Sequence, residues 1–147
     1  MSFSYLKIIP NDPIYVPDQL SQDKAKNFLL DIYKEVIKLE TTENIEFIDQ
    51  GDGFESVSCN KCGKEIDIEY WQEAMNSSYE QHFKNLSFIA PCCGNQSSLN
   101  DLNYKAPAGF AKFVIRIRDA YEDLTEKELQ LLEEVLGTEL RFIWAHY

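Results

Sequence analysis

The sequence predicts an α+β fold in which two strand–helix–strand units flank a segment that contains every cysteine. An amphipathic helix lies between strand-like segments in residues 1–53, and the same order recurs in residues 107–147. Two such units in succession have the βαβ…βαβ order of a ferredoxin-like sandwich. Residues 54–106 are then an insertion into a single domain of residues 1–147. The alternative is one mixed sheet to which the cysteine hairpins add edge strands.

The first unit begins with a strand over residues 3–10, which is rich in aromatic and β-branched residues and stops at a proline-containing turn. Ser21 then fits the N-cap of a helix. The apolar residues of this helix recur at spacings of three and four, at Ala25, Phe28, Leu29, Ile32, Val36 and Leu39. After a break at residues 41–44, a short strand over residues 45–49 completes the unit.

The segment between the two units is predicted to start with a hairpin. Two glycines at residues 50–53 indicate a turn, and residues 54–58 form the return strand that leads to the first cysteine. A helical stripe of apolar and aromatic residues predicts a helix within residues 68–83. Residues 86–90 are extended, and residues 99–104 are a candidate short strand.

The second unit has the strongest local signals in the chain. Apolar and polar residues alternate over residues 112–119, as in a strand with one buried face. Thr125 and Glu128 form a capping-box pattern, and Gly137 stands where a helix C-terminus is expected. Residues 140–147 are predicted to be the last strand.

The four cysteines form two groups, Cys59 with Cys62 and Cys92 with Cys93, and this pattern indicates one zinc site. A C-x2-C turn brings two thiolates to the same side of a tetrahedral ion. A zinc ion with four protein ligands has no open position, so the predicted role of Zn²⁺ is structural. The insertion is therefore interpreted as a zinc-ribbon-like module.

The adjacent pair Cys92 and Cys93 departs from the usual second C-x2-C. Neighbouring side chains on an extended strand point to opposite faces, so both thiolates reach one ion only if the chain bends sharply. Pro91 and Gly94 are residues suited to such a bend. The alternative is a site of three cysteines and one histidine, in which His82 replaces Cys92.

Composition limits the classes of partner. The chain carries 25 acidic and 14 basic residues, for a formal net charge of −11. Such a charge repels nucleic acid and anionic membranes, so neither is an expected partner. No basic leader precedes an apolar run at the N-terminus, which favours a cytoplasmic protein. Paired cysteines in a reducing compartment favour metal binding over disulfides.

The arginines form a second candidate feature. Arg116, Arg118 and Arg141 are expected to share one sheet face, where they either pair with nearby carboxylates or bind an acidic partner. His146 is interpreted as the end of the last strand, because no nucleophile or acid beside it suggests catalysis.

Several motifs together resemble a family of small bacterial proteins that has no established activity. The motifs are FIDQG at residues 47–51, CxxCG at 59–63, PCCG at 91–94, SLNDL at 98–102, PAGFA at 107–111 and LRFIWAHY at 140–147. The resemblance implies a soluble, zinc-containing bacterial protein and implies nothing about a mechanism.

Two functional hypotheses follow from these observations. The first is a non-enzymatic protein-interaction module, stabilised by a structural zinc, whose acidic surface binds a basic protein partner; an immunity protein against a basic toxin is one example. The second is a small metal-dependent or thiol-dependent enzyme. The sequence predicts no catalytic residue and no oligomeric state.

Overall fold

The computed structural model describes residues 3–147. Within this range the fold is α+β, with three helices, one four-stranded antiparallel sheet and two two-stranded sheets. The elements in chain order are β1 (Ser4–Pro10), α1 (Gln19–Tyr33), β2 (Ile37–Ile48), β3 (Val57–Ser58), α2 (Ile68–Glu80), β4 (Ser87–Ile89), β5 (Gln96–Ser98), β6 (Asn103–Tyr104), β7 (Gly109–Arg118), α3 (Glu126–Leu136) and β8 (Leu140–His146). No helix of residues 3–147 is long and apolar enough to span a bilayer.

The four-stranded sheet combines strands from both ends of the chain. Its strand order is β2-β7-β1-β8, and each neighbouring pair is antiparallel. The central strands β7 and β1 are therefore far apart in sequence. Lys7 on β1 stands opposite Arg116 on β7 and Ile143 on β8, which fixes the register across three strands.

Alternation along the strands gives the sheet two different faces. One face packs on α1 and α3 through fully buried side chains, among them Leu6, Ile8, Phe113, Ile115, Ile117, Leu29 and Leu132. Burial of so many apolar side chains is the main source of stability here, at about 1.5–3 kcal/mol for each Leu, Ile or Phe. The opposite face has a smaller buried cluster, made of Ile9, Ile48, Ala111, Val114 and Ile143.

Helix α1 is shorter than the sequence periodicity indicates, so its predicted end is wrong. The helix ends at Tyr33, and Lys34 adopts a left-handed conformation with φ of 55°. Leu39 belongs to β2, where it stands opposite Ile115, and Val36 is 65% exposed. The spacing of the apolar residues in this segment also fits a helix, but pairing of residues 37–41 with β7 makes the segment a strand.

The predicted N-cap of α1 is also wrong. Asp18, three residues before Ser21, caps the helix, and its carboxylate accepts a hydrogen bond of 2.7 Å from the Ser21 backbone N–H. Asp is as good an N-cap as Ser, and it lies directly after a proline that cannot extend the helix.

The predicted hairpin after α1 is wrong as well. Residues 41–44 do not separate two elements as predicted. They lie within β2, where the register with β7 shifts between Thr41 and Glu46. The Thr42 hydroxyl donates to the Asn44 carbonyl at 2.7 Å in this irregular stretch. Strand β3 does not return along β2 but pairs with β6. A bulge accommodates polar residues that local propensity alone assigns to a turn.

Predictions for α2, β4, β7, α3 and β8 are confirmed with small shifts of their bounds, whereas only residues 103–104 of the candidate strand over residues 99–104 are extended and β5 was not predicted. Helix α2 covers Ile68–Glu80, and α3 has the complete capping box of Thr125 and Glu128. Gly137 ends α3 with φ of 76°. Local side-chain to backbone hydrogen bonds delimit α3, which is why the sequence reveals its ends, whereas α2 is predicted from its apolar stripe alone.

A separate core surrounds α2 and the cysteine loops. Its buried members include Val57, Ile66, Trp71, Met75, Phe83, Phe88, Leu99 and Tyr104. The Trp71 indole donates to the Tyr104 hydroxyl at 3.2 Å, and that hydroxyl donates to the Leu99 carbonyl at 2.7 Å. Phe110 of β7 and Ile45 of β2 also pack in this core, so the sheet and the cysteine-containing segment are joined by shared apolar contacts.

Candidate metal centre

Two loops bring all four cysteines together. Their Sγ atoms lie within 4.8 Å of one another, although the two groups are about 30 residues apart in sequence. Cys59 Sγ is 3.8 Å from Cys93 Sγ, and Cys62 Sγ is 3.2 Å from Cys92 Sγ. Cys59 is fully buried and Cys92 is partly buried, whereas Cys62 and Cys93 are exposed.

The first loop is a tight reversal that follows β3. The Cys59 carbonyl accepts from the Gly63 N–H at 2.9 Å, and the Cys59 N–H donates to the Lys64 carbonyl at 2.9 Å. Gly63 has φ of 79°, a conformation that side chains rarely adopt. The Lys61 N–H points back at Cys59 Sγ at 3.4 Å, so the loop directs backbone dipoles at this sulfur.

The second loop repeats the same hydrogen bonds after β4. The Ala90 carbonyl accepts from the Gly94 N–H at 2.8 Å, and the Ala90 N–H donates to the Asn95 carbonyl at 3.0 Å. Gly94 has φ of 71°. This is the sharp bend that the adjacent cysteines Cys92 and Cys93 require.

Equivalent hydrogen bonds reveal how the two loops differ. Ala90 in the second loop occupies the position that Cys59 holds in the first, and Cys93 corresponds to Cys62. Cys92 corresponds to Lys61, a position that carries no cysteine in the first loop. Each loop thus has two thiols. Cys62 and Cys93 are equivalent, whereas Cys92 lies two positions after the residue that is equivalent to Cys59. The backbone hydrogen bonds of the two loops establish this relation.

The electrostatic surroundings shift the pKa values of two of the thiols in opposite directions. The backbone N–H groups of Cys62 and Lys61 lower the pKa of Cys59 to about 6, which favours its thiolate at neutral pH. A hydrogen bond with Cys62, together with burial, raises the pKa of Cys92 to about 12. Four thiols so close together cannot all ionise without a cation, because each added thiolate repels the others.

The spacing of the sulfurs fits a tetrahedral metal. Zn–S bonds of about 2.3 Å place the sulfurs of a tetrahedral four-cysteine site about 3.8 Å apart. Cys59 and Cys93 have this separation, and the shorter distance between Cys62 and Cys92 requires a small outward movement. Four cysteines are also the donor set that zinc and iron–sulfur sites use.

Two polar side-chain contacts surround the thiols, one between β5 and the first loop and one within the second loop. Ser97 donates to the Asn60 side-chain oxygen at 2.7 Å, and the Asn95 amide donates to Cys93 Sγ at 3.3 Å. Such bonds orient ligating side chains and partly neutralise thiolate charge. The sequence indicates these hydrogen bonds only through the frequent Asn and Ser residues near the cysteines.

His82 lies outside the group of sulfurs. It is exposed, follows the end of α2 and adopts a positive φ of 56°. The potential metal ligands that cluster among residues 3–147 are the four cysteines alone. The arrangement therefore favours four sulfurs over the three-cysteine and one-histidine alternative.

The three arginines lie on one face of the sheet, as predicted, but their side chains make separate contacts. Arg116 Nη1 contacts Glu40 at 3.2 Å, and Arg118 Nε lies 3.8 Å from an Asp119 carboxylate oxygen. Arg141 instead points to the loop before β7, where it donates to the carbonyls of Asn100 at 2.8 Å and Ala108 at 2.9 Å. Arg141 is thus a structural residue, and the other two keep partly exposed side chains.

Sequence reasoning missed a buried lysine on the sheet. Lys7 is 4% exposed, and its ammonium donates to the Asp49 carbonyl at 2.9 Å and to the Tyr147 hydroxyl at 2.6 Å. Burial lowers the pKa of Lys7, although Asp49 opposes this effect. Burial would raise the pKa of Asp49, but Lys7 outweighs it and lowers the pKa. The only indication of this buried lysine in the sequence is its position between Leu6 and Ile8 in an apolar strand.

Comparisons with known proteins found no match: no protein-family model, no curated protein and no solved structure is similar to this chain. The resemblance to a bacterial family therefore stays a prediction.

Proposed function

We propose that this protein is a non-enzymatic protein-interaction module whose cysteine loops are held by one structural Zn²⁺. The observation that carries the proposal is the approach of four Sγ atoms to within 4.8 Å, on two loops that share one hydrogen-bond pattern. Cys59, Cys62, Cys92 and Cys93 would supply the four thiolates. Zinc with four sulfur ligands has no position for water or substrate, so its contribution is to stability.

The surrounding strands support a stabilising role for the metal. Strands β3 and β6 have two residues each, and β4 and β5 have three each. Two-stranded ribbons of this length are marginal in water without a further constraint. A metal that joins the loops after β3 and β4 would supply this constraint, as in a zinc ribbon.

Accessibility argues against the enzyme alternative. Cys59 has the lowered pKa expected of a nucleophile, but its side chain is fully buried. A surface cleft of 420 Å³ is lined by residues 54–57 and 65–68, and one of 340 Å³ is lined by residues 100–104, 107, 108 and 141; neither lining contains a cysteine. A reactive thiol needs contact with its substrate. The exposed thiols of Cys62 and Cys93 would both be occupied as ligands of the proposed zinc. We therefore favour an interaction module.

We further infer that the four-stranded sheet with α1 and α3 is a ferredoxin-like sandwich, interrupted by a zinc-ribbon-like insertion at residues 54–106. The strand order β2-β7-β1-β8, the two strand–helix–strand units and the packing of both helices on one face support this inference. The insertion connects β2 to β7, which are neighbours in the sheet.

The charge of the protein supports a basic protein partner. The net charge of −11 favours fast association with a cationic surface, as expected for an immunity-like protein. Exposed carboxylates cluster around the start of α3, at Glu122, Asp123 and Glu126. We place the protein in the cytoplasm, where unpaired cysteines persist.

Metal analysis tests the structural role of zinc. Native mass spectrometry of the wild-type chain is expected to show one tightly bound zinc, and Cys59→Ser is expected to lose it together with the fold of the loops. His82→Ala is the matched control and should keep the metal. A folded wild-type chain that holds no metal when purified with zinc would contradict the proposal.

Affinity capture from the native cell tests the interaction role. A basic protein that is released by moderate salt is the expected result, because surface charge attraction is screened by salt. Capture of nucleic acid or of anionic small molecules alone would show that the acidic-module hypothesis is wrong.

A further inference from the structure

We propose that the sheet face opposite α1 and α3 binds a carboxylate-rich segment of a partner protein. The surface is called the basic sheet face and consists of Lys38, Arg116, Arg118, Tyr5 and Tyr147, and Lys7 lies beneath it, 4% exposed and paired with Asp49. The proposal concerns a surface separate from the cysteine loops and does not depend on their metal.

Cations occupy directly opposed positions on three neighbouring strands. Lys38 on β2 stands opposite Arg116 on β7, and Arg116 stands opposite Lys7 on β1. Like charges placed opposite each other destabilise a sheet. Asp49 offsets this repulsion at the buried Lys7, and Glu40 partly offsets it at Arg116. Lys38, Arg116 and Arg118 are the cations of this row and its neighbour that retain exposed side chains.

Internal carboxylates leave much of this charge available. Arg116 contacts Glu40 through one nitrogen, and its side chain is 29% exposed. Arg118 reaches Asp119 only at 3.8 Å, and its side chain is 44% exposed. Each guanidinium has five N–H donors, so both retain donors for a ligand. Within residues 3–147, Lys38 has no carboxylate oxygen within 4.0 Å.

Aromatic rings hold the cations in place. The Arg118 guanidinium carbon lies 4.5 Å from the centre of the Phe3 ring. Tyr5 and Tyr147 pack edge to face at 6.2 Å between ring centres, and the Tyr147 hydroxyl contacts the Lys7 ammonium. A guanidinium that stacks on a ring has fewer conformations to lose when a ligand binds.

Repulsion between the cations gives binding a physical motive. Burial lowers the pKa of Lys7, Asp49 partly offsets this effect, and the nearby charge of Arg116 lowers the pKa further. An anion that contacts Arg116 would reduce the repulsion with Lys7.

Carboxylates fit this surface better than nucleic acid. A planar guanidinium matches a carboxylate in two parallel hydrogen bonds, and two arginines two residues apart on one strand can bind successive acidic side chains. A long polyanion would also meet the acidic remainder of the protein, which repels it. A short acidic segment contacts the basic sheet face alone.

Fluorescence anisotropy with a labelled oligoglutamate peptide tests the proposal on the full chain, with any bound metal left in place. Arg116→Gln combined with Arg118→Gln is expected to weaken binding about tenfold or more, since two charge-assisted contacts are removed. Lys24→Gln combined with Lys26→Gln is the control of equal charge, because both lysines are exposed on α1. Circular dichroism verifies that both variants remain folded.

The outcomes separate the alternatives. Binding to oligoglutamate that is lost in the arginine variant and kept in the lysine variant supports the proposal. No binding at low salt, or equal weakening by both variants, would overturn it. Tighter binding of a single-stranded oligothymidine probe than of oligoglutamate would also overturn it, since the face would then recognise phosphate.

Discussion

The sheet region (β1, α1, β2, β7, α3 and β8) and the cysteine region (residues 54–106) are stabilised in different ways. The sheet region has strands of seven to twelve residues and a core of fully buried Leu, Ile and Phe side chains. Strands in the cysteine region have only two or three residues. The cysteine region has an apolar core of its own around Trp71 and Phe88, but its short strands supply few hydrogen bonds, and its four thiols lie together on two loops.

One chain can therefore contain two regions that different interactions stabilise. Phe110 of β7 packs in the core of the cysteine region, so the two regions are continuous. Each can still respond to a different perturbation, because local stability need not be uniform within one fold.

Metal removal should affect the two regions most differently. Structural zinc contributes on the order of 10 kcal/mol in small zinc domains, which exceeds what the short strands can supply. A strong zinc chelator is therefore expected to abolish hydrogen-exchange protection at Gly63, Gly94 and α2. Amides of β1 and β7 should remain protected. Simultaneous loss of protection in both regions would mean that the sheet also depends on the metal.

Truncation of a core side chain should identify the region that controls global unfolding. Ile115 is fully buried between the sheet and its helices, so Ile115→Ala is expected to cost about 2–5 kcal/mol in denaturant unfolding. Met75→Ala is the matched change in the cysteine region, where Met75 is 6% exposed. With zinc bound, it should reduce exchange protection around α2 and leave β1 unchanged. Equal loss of protection in β1 for both variants would contradict the distinction.

Alkaline pH should weaken the cysteine region through Tyr104. Burial raises the pKa of Tyr104 to about 12, from an ordinary value near 10. The folded state then holds the phenol proton more tightly than the unfolded state. This contribution is complete below pH about 10 and is lost as pH rises to about 12, with a total of about 2–3 kcal/mol.

Tyr104→Phe should remove part of that pH dependence in stability curves measured across this range. It also loses the hydrogen bonds with Trp71 and Leu99, so it should be less stable at neutral pH. Tyr121→Phe is the control, because Tyr121 is 73% exposed. An unchanged alkaline slope in Tyr104→Phe would show that this phenol does not control the transition.

The elements that could be predicted from sequence are those with local signals. Thr125, Glu128 and Gly137 define α3 through hydrogen bonds between neighbours in the chain. The boundary between α1 and β2 was mispredicted because Leu39 fits both a helical stripe and a strand, and only pairing with β7 decides between them. The partnership of β3 with β6 joins segments about 45 residues apart, which no local pattern encodes.

The candidate site shows the same limit. The cysteine grouping and the bend at Gly94 were visible in the sequence. The equivalence of Ala90 and Cys59 was not, because it appears only when the carbonyls and N–H groups of the two loops are compared. The Lys7 network was also missed, since its partners Asp49 and Tyr147 come from distant segments.

Removal of a helix cap should change the stability least, and it tests whether the sheet region and the cysteine region unfold independently. Thr125 caps α3 in the sheet region, and Asp67 caps α2 in the cysteine region by accepting from the Glu69 N–H at 2.9 Å. Thr125→Ala is expected to lower the free energy of global unfolding by about 1 kcal/mol. Asp67→Ala removes a similar interaction, but α2 belongs to the region that the proposed zinc would stabilise.

The two cap variants should therefore diverge when zinc is removed. Thr125→Ala should shift the denaturant midpoint equally with and without metal, because α3 packs on the sheet. Asp67→Ala should chiefly speed amide exchange in α2 while zinc is bound. After chelation it should have no further effect, since α2 is then already open. If Asp67→Ala instead lowered global stability as much as Thr125→Ala in both conditions, the two regions would unfold as one cooperative unit.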